Sequence, residues 1–394
     1  MARRVYLDNS ATSFPKPDSV LEAMMRYSRH IGASAGRGAY EEARRSGEII
    51  ARCRARLARL LNAASPDSII FTLNATDALN LAIRGLLRPG DHAVTTWMDH
   101  NSVLRPLHAL EQRIGVTAAY VPCDPRTGLV DPDDIRRALR PDTRLIVVVH
   151  ASNVTGTVQP IEHIGHIARE REIPFVMDAA QSIGHLPIDV QALPVDAMAF
   201  PGHKALLGPL GTGVLYIRPG LEHKLETSRE GGTGSLSEHP YQPEFLPDRY
   251  EPGSHNAVGI AGLDAGVAFL LERGIENLRR HEEQLCRQFM AAAANIDRLT
   301  VYGPRELHDR VGVFSVRVAG YEPQELSAAL ETSFGLLTRS GLHCAPLAHR
   351  TIGTYENGGT TRLSFGPFTT AEDVALAVDA LAALARASKP TVLA

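Results

Sequence analysis

The sequence holds only four lysines, Lys16, Lys204, Lys224 and Lys389, against a large excess of arginine. Three of them read as solvated charges: Lys16 lies between two prolines, Lys224 in a polar stretch and Lys389 in the C-terminal tail. Lys204 does not, because it sits in the apolar, glycine-rich run AFPGHKALLGPLGTGVLY (199–216), directly after a strand-like segment. Burying an unpaired ammonium is costly. Burial also lowers its pKa, which frees the amine for nucleophilic work such as Schiff-base formation. Upstream, the strand-like PFVMDAAQS ends on Asp178. At the carboxyl edge of a parallel sheet, where open α/β folds bind their ligands, such a carboxylate can hold a pyridine nitrogen protonated. Pyridoxal 5'-phosphate needs that partner, since its protonated ring is an electron sink. Alone, a strand-end aspartate is more often a cap or turn former; beside Lys204 it points to a cofactor.

A thiol lies among cations further on. TRSGLHCAPLAH (338–349) sets Arg339, His343 and Cys344 within six positions. The thiolate is the reactive form of cysteine, and nearby cations favour it, so Arg339 or His343 is expected to activate Cys344, and a loop location to give it mobility. The other cysteines read as small apolar residues or bystanders: Cys53 on the apolar side of a helix, Cys286 similarly, Cys123 at a strand end. No CxxC pair is present, so neither a zinc site nor a disulfide framework is expected, and no metal ligands are assigned. TLNATDALNLAIRGLL (72–87) runs from a strand through a small-residue turn into a helix. Its first N–H groups and the Thr76 hydroxyl make an anion site, or else an ordinary N-cap by Asn74 or Thr76. His100 follows the next strand and reads either as a ring lying on an aromatic cofactor or as a surface group.

The elements that must position these residues alternate. Between about 65 and 217, seven β-branched runs (68–73, 92–97, 117–122, 144–150, 174–180, 196–200 and 213–217) are separated by helical patterns, the signature of βαβ units. The run LIVVV is apolar throughout and reads as buried on both faces. Helical periodicity is clearest at 41–61. After a Gly- and Pro-rich stretch (229–260), the helical pattern resumes at about 276–295. A smaller α/β unit follows, with strands at 311–318 and 361–365 and helices at 323–334 and 371–387. The fold class is therefore α/β: a large domain with a mostly parallel seven-stranded sheet flanked by helices, plus a smaller α/β C-terminal domain. The expected division is 15–260 for the large domain and 1–14 with 261–394 for the small one, which carries the Cys344 loop.

The net charge of −3, with 22% charged residues well mixed, argues against a nucleic-acid partner. No apolar run approaches the ~18 residues of a bilayer-spanning helix, and no apolar stretch follows the first arginines. A cytoplasmic protein with a small-molecule partner is expected.

The order of Thr76, His100, Asn153, Asp178, Gln181, His203-Lys204 and RSGLHCA, running from YLDNSATSFPKP to TRLSFGPFTT, resembles the class V, fold-type I pyridoxal-phosphate enzymes. Within them it resembles the group II (SufS-like) cysteine desulfurases. This resemblance implies that Lys204 forms the Schiff base, that His100 stacks on the ring, and that Asp178 and Gln181 contact its nitrogen and phenolate. Ala75, Thr76 and His203 would line the phosphate cup, with Ser254 reaching across from a second subunit of a homodimer. Asn153 and Arg362 would grip the substrate carboxylate, Asn153 also contacting the cofactor, while Arg339 would serve the thiol or the carboxylate. L-cysteine would be converted to L-alanine, its sulfur passing to Cys344 as a persulfide and then to an acceptor protein or small thiol. Three departures stand out: Pro201 before GHK where serine is common, Ala75 where threonine is common, and a long segment at 350–361. The alternatives are a selenocysteine lyase or another pyridoxal-phosphate C–S lyase, and a cofactor-binding protein without turnover. GPLGTG (208–213) lacks the following helix and ribose acid of a dinucleotide loop.

Overall fold

The structure, a computed structural model, describes residues 4–36 and 38–387; Lys389 and the rest of both extreme termini lie outside the described residues. In chain order the strands are β1 (Val5–Tyr6), β2 (Ile69–Thr72), β3 (His92–Thr96), β4 (Thr117–Val121), β5 (Thr143–Val149), β6 (Phe175–Asp178), β7 (Ala197–Pro201), β8 (Gly213–Ile217), β9 (Leu299–Val301), β10 (Val313–Val318), β11 (Leu336–Leu337), β12 (Arg339–Gly341) and β13 (Thr360–Ser364). The α-helices are α1 (Asp18–His30), α2 (Glu41–Leu61), α3 (Ala75–Leu86), α4 (Asn101–Ile114), α5 (Pro132–Ala138), α6 (Ile161–Glu170), α7 (Ala257–Arg273), α8 (Ile275–Ala293), α9 (Pro323–Phe334), α10 (Pro346–Thr351) and α11 (Ala371–Ala387).

All seven strand-like runs form one sheet, ordered β2-β8-β7-β6-β5-β3-β4. Only β8 runs antiparallel to its neighbours. Successive side chains of a strand face opposite sides, and apart from the edge strand β4 both sides are dry. Ile146 and Val148 of β5 enter one apolar cluster, Leu145 and Val147 the other. The same division holds for β8, with Val214 and Tyr216 on one face and Leu215 and Ile217 on the other. This is why LIVVV, within β5, reads as a continuous apolar run rather than an alternating one.

Helix α7 supplies part of the first cluster through Ile260, Leu263, Val267 and Leu270 and packs on α1 and α2. The helical pattern therefore resumes at residue 257, earlier than the expected 276. α7 is buried nearly all round, so it lacks the polar stripe that marks an amphipathic helix in a sequence.

The smaller unit is an antiparallel sheet ordered β12-β13-β10-β9, with α8, α9 and α11 around a core that includes Phe289, Phe314 and Phe365. The N-terminal segment joins it, as β1 pairs in parallel with β11. Between the sheets, His185 Nδ1 meets Glu282 Oε1 of α8 at 2.7 Å.

Candidate active site

Five strands of the large sheet end on one edge, and each delivers a site residue there. β2 leads into the first turn of α3, β3 into His100, β5 towards Asn153, β6 ends on Asp178 and β7 leads into His203 and Lys204. Together with Gln181, Pro201 and Ser102 they line one open cavity. Ala75 and Thr76 lie at its α3 end.

The α3 end of the cavity has a hydroxyl that drew no notice in the sequence. Thr76 Oγ1 lies 2.7 Å from Ser102 Oγ, which lies 2.9 Å from His100 Nδ1. Ser102 thus brings a hydroxyl to the same end of the cavity as Ala75 and Thr76. The signal was present: His100 is the N-cap of α4 and its ring accepts from Ser102 N at 3.0 Å. That bond assigns the ring proton to Nε2. Burial and the charge of Lys204 push the His100 pKa down to about 3, so the ring is neutral.

Burial lowers the Lys204 pKa to about 8, with Asp178 opposing the shift. Asp178 is itself buried, which raises its pKa, while an N–H bond from Ala180 at 2.9 Å and the charge of Lys204 favour its ionised form. Gln181 Nε2 donates to Ser10 O at 3.0 Å, so the amide is oriented by the N-terminal segment. The His203 carbonyl accepts from Thr12 Oγ1 at 2.9 Å and Ser13 N at 3.1 Å.

Among the described residues, the buried polar atoms with no partner in the protein include His203 Nδ1, Asn153 Oδ1, Arg362 Nε and His343 Nδ1 at this centre. Buried polar groups are normally bonded. A helix N-terminus for an anion, a buried carboxylate, a neutral ring and a desolvated amine, with these free atoms, match the donor set that pyridoxal phosphate and an amino acid require.

The thiol stands beside this cavity, joined to it by Asn153. Asn153 Nδ2 donates to His343 O at 2.6 Å, and Asn101 N donates to Cys344 O at 2.8 Å. His343 and Cys344 both adopt left-handed backbone, φ 48° and 59°, a conformation uncommon outside glycine. The Cys344 side chain is exposed, and Arg339 Nη2 donates to its Sγ at 3.6 Å. Two expectations change here. His343 is buried, and burial with the charge of Arg362 holds its pKa well below the usual histidine value; it is neutral, and Arg339 is the cation on the thiol. The loop is also tied by its carbonyls on both sides rather than free.

Arg339 and Arg362 are cross-strand neighbours in β12 and β13. Arg362 is fully buried and bonds Asn153 O at 3.2 Å and Asp8 Oδ1 at 2.6 Å. Ser254 is not brought into this cavity; it is exposed and lines a separate cleft with Leu73, Gly211 and Asn256. Segment 350–361 completes α10 and turns back through Gly353, Gly358 and Gly359 into β13. Cys53 and Cys286 are buried, as read, and Cys123 is partly buried with its thiol pKa pushed up to about 12, mainly by burial. No cluster of potential metal ligands and no membrane-crossing helix occur among the described residues.

The aminotransferase class-V family profile matches residues 5–376. A probable cysteine desulfurase of Methanothermobacter thermautotrophicus is 37% identical over 97% of this chain and 94% of its own length. Among solved structures, an apo cysteine desulfurase from Thermococcus onnurineus NA1 superposes with a TM-score of 0.91 at 32% identity, covering 98% of this chain and 95% of that one. A cysteine desulfurase from Escherichia coli, in an S-sulfonic acid form, gives 0.86 at 27% identity, with 98% and 95% covered.

Proposed function

The chain belongs to the class-V aminotransferase family, and from that premise we propose that it is a pyridoxal-phosphate cysteine desulfurase, converting L-cysteine to L-alanine and taking the sulfur on Cys344. The observation that carries this reading is an exposed thiol paired with Arg339 at 3.6 Å and tied through Asn153 to a cavity floored by a desolvated lysine. The relatives reported above, named as cysteine desulfurases, support it.

Pyridoxal phosphate, when bound, would supply an electron sink for the pair left at the amino acid's α-carbon. Lys204 would hold it, with Asp178 at its ring nitrogen, Gln181 at its phenolate, His100 on its face, and Thr76, Ser102 and His203 at its phosphate. Lys204, with its pKa near 8, is suited to carry a proton to and from the α-carbon. Arg362 and Asn153 grip the substrate carboxylate. Cys344, with Arg339 against its sulfur, attacks the substrate sulfur as the thiolate: an S–S bond forms, the C–S bond breaks, and its electron pair stays with carbon, which takes up a proton to become the methyl of alanine. The balance is L-cysteine plus Cys344 thiol to L-alanine plus Cys344 persulfide.

The persulfide then passes to an acceptor protein or small thiol. The exposed, arginine-paired thiol favours a sulfur substrate over the selenocysteine lyase reading, which needs a protein thiol less. A homodimer belongs to the same proposal. It is supported by the exposure of Thr76 on the open side of the cavity and of Ser254, and by exposed Leu73, Leu210, Tyr241 and Phe245. A cytoplasmic location rests on the sequence reading alone.

Mass spectrometry after brief exposure to L-cysteine tests the reading. A one-sulfur adduct on residue 344 and L-alanine in solution are expected. Cys344→Ala should keep the visible chromophore fixed to Lys204 but carry no adduct; sulfide release at the wild-type rate by that variant would sink the assignment.

A further inference from the structure

Asp8 drew no notice in the sequence, yet it is the counter-ion of the most buried cation at the site. Arg362 is 1% exposed. Its Nη2 meets Asp8 Oδ1 at 2.6 Å and its Nη1 meets Asn153 O at 3.2 Å, while Nε has no partner. A guanidinium is a rigid planar fork. Held at two corners, it has its remaining edge turned to one direction. Burial and the neighbouring Arg339 both work against the charge on Arg362, and Asp8 opposes them.

Asp8 is in turn fixed by its own segment. It forms a bridge with Ser364 of β13, and the following residues bond both units: Asn9 Nδ2 to Ser364 O at 3.1 Å, Ser10 O to Gln181 Nε2 at 3.0 Å, and Thr12 Oγ1 to His203 O at 2.9 Å. The same short segment thus reaches the arginine of the smaller unit and the glutamine and lysine turns of the larger one.

We infer that Asp8 is a positioning residue for the substrate carboxylate: it holds the Arg362 guanidinium turned so that its unpartnered Nε edge receives the α-carboxylate of an amino acid. This rests on the proposed amino-acid substrate, but not on desulfuration. Neutralising Asp8 then loosens the grip on the carboxylate rather than freeing Arg362 for it.

The test compares L-alanine with L-alaninamide by calorimetry on the purified holoprotein. The wild type is expected to prefer the free acid. Asp8→Ala should cut that preference about tenfold, the scale of a charge-assisted hydrogen bond. Asp8→Asn, which is isosteric and keeps an oxygen for Nη2–H, should restore part of it and serves if the alanine variant fails to fold. With L-cysteine, KM should rise about tenfold while kcat per bound cofactor changes much less. An unchanged acid-over-amide preference, or a fall in kcat and Tm at constant KM, overturns the inference and leaves Asp8 a purely structural residue. A wild type that makes no alanine from L-cysteine, yet loses its preference on substitution of Asp8, defeats the desulfurase reading and upholds this one.

Discussion

Lys204 owes its chemistry to the free energy lost when its ammonium leaves water. Its pKa falls from 10.5 to about 8, mainly through burial, so between those values the unfolded chain binds a proton that the folded apo-protein does not. Stability then rises with pH across that window. Below pH 8 the full cost applies, about 3 kcal/mol at ~1.4 kcal/mol per unit. Lys204→Met should therefore raise the stability of the apo-protein at pH 7 by roughly this amount, and the gain should shrink as pH rises from 8 to 10.5. Urea unfolding of apo-protein at several pH values measures it, and a gain independent of pH would refute the burial cost. His100 lies at the opposite limit. With a pKa near 3 it adds no ionisation to a pH–rate profile in the neutral range.

At the scale of elements, two glycines decide how close the working parts come. A Cβ on Gly213, at the start of β8, would lie 2.5 Å from the backbone of Asn74, the N-cap of α3. Backbone cannot yield as a side chain can, and overpacking of this kind costs about 1–3 kcal/mol. Gly213→Ala should push the first turn of α3 off the sheet edge and weaken pyridoxal phosphate binding about tenfold or more, read by absorbance titration of the apo-protein. Gly359 has φ 92° and would set its Cβ against Gly341 O at the end of β12. Gly359→Ala should displace the strand that carries Arg339, cutting the sulfur adduct on Cys344 while cofactor content holds. Equal losses of both in either variant would argue that cofactor cup and thiol loop are not separately built. The long elements were legible: α2, α9 and α11 match their sequence patterns in extent, and each strand of the large sheet lies at its apolar run. α7 hid because it is apolar all round. β11, β12 and α10 hid because two to six residues show no period, though they carry Arg339 and frame Cys344.

At the scale of the whole molecule, the chain leaves apolar side chains in solvent, Leu210 being 67% and Tyr241 81% exposed. The proposed homodimer predicts a solution mass of twice the 42.7 kDa chain. Leu210→Glu should weaken it and reduce cofactor retention together, since Ser254 would be withdrawn from the partner's site; light scattering and absorbance measure the two. A monomer that retains its cofactor would refute the shared site. The sequence by itself determined the chemical inventory and its order: one lysine in an apolar glycine-rich turn, a carboxylate closing a strand, a thiol beside an arginine, and a run of strands that had to form a parallel sheet. Spacing and periodicity carry such information because they act over a few residues. Only the tertiary structure decided that Asp8 pairs with Arg362 across 354 positions, that Ser102 lies between Thr76 and His100 and that His343 is uncharged. Those outcomes depend on burial and on partners from distant segments, and no local pattern encodes either.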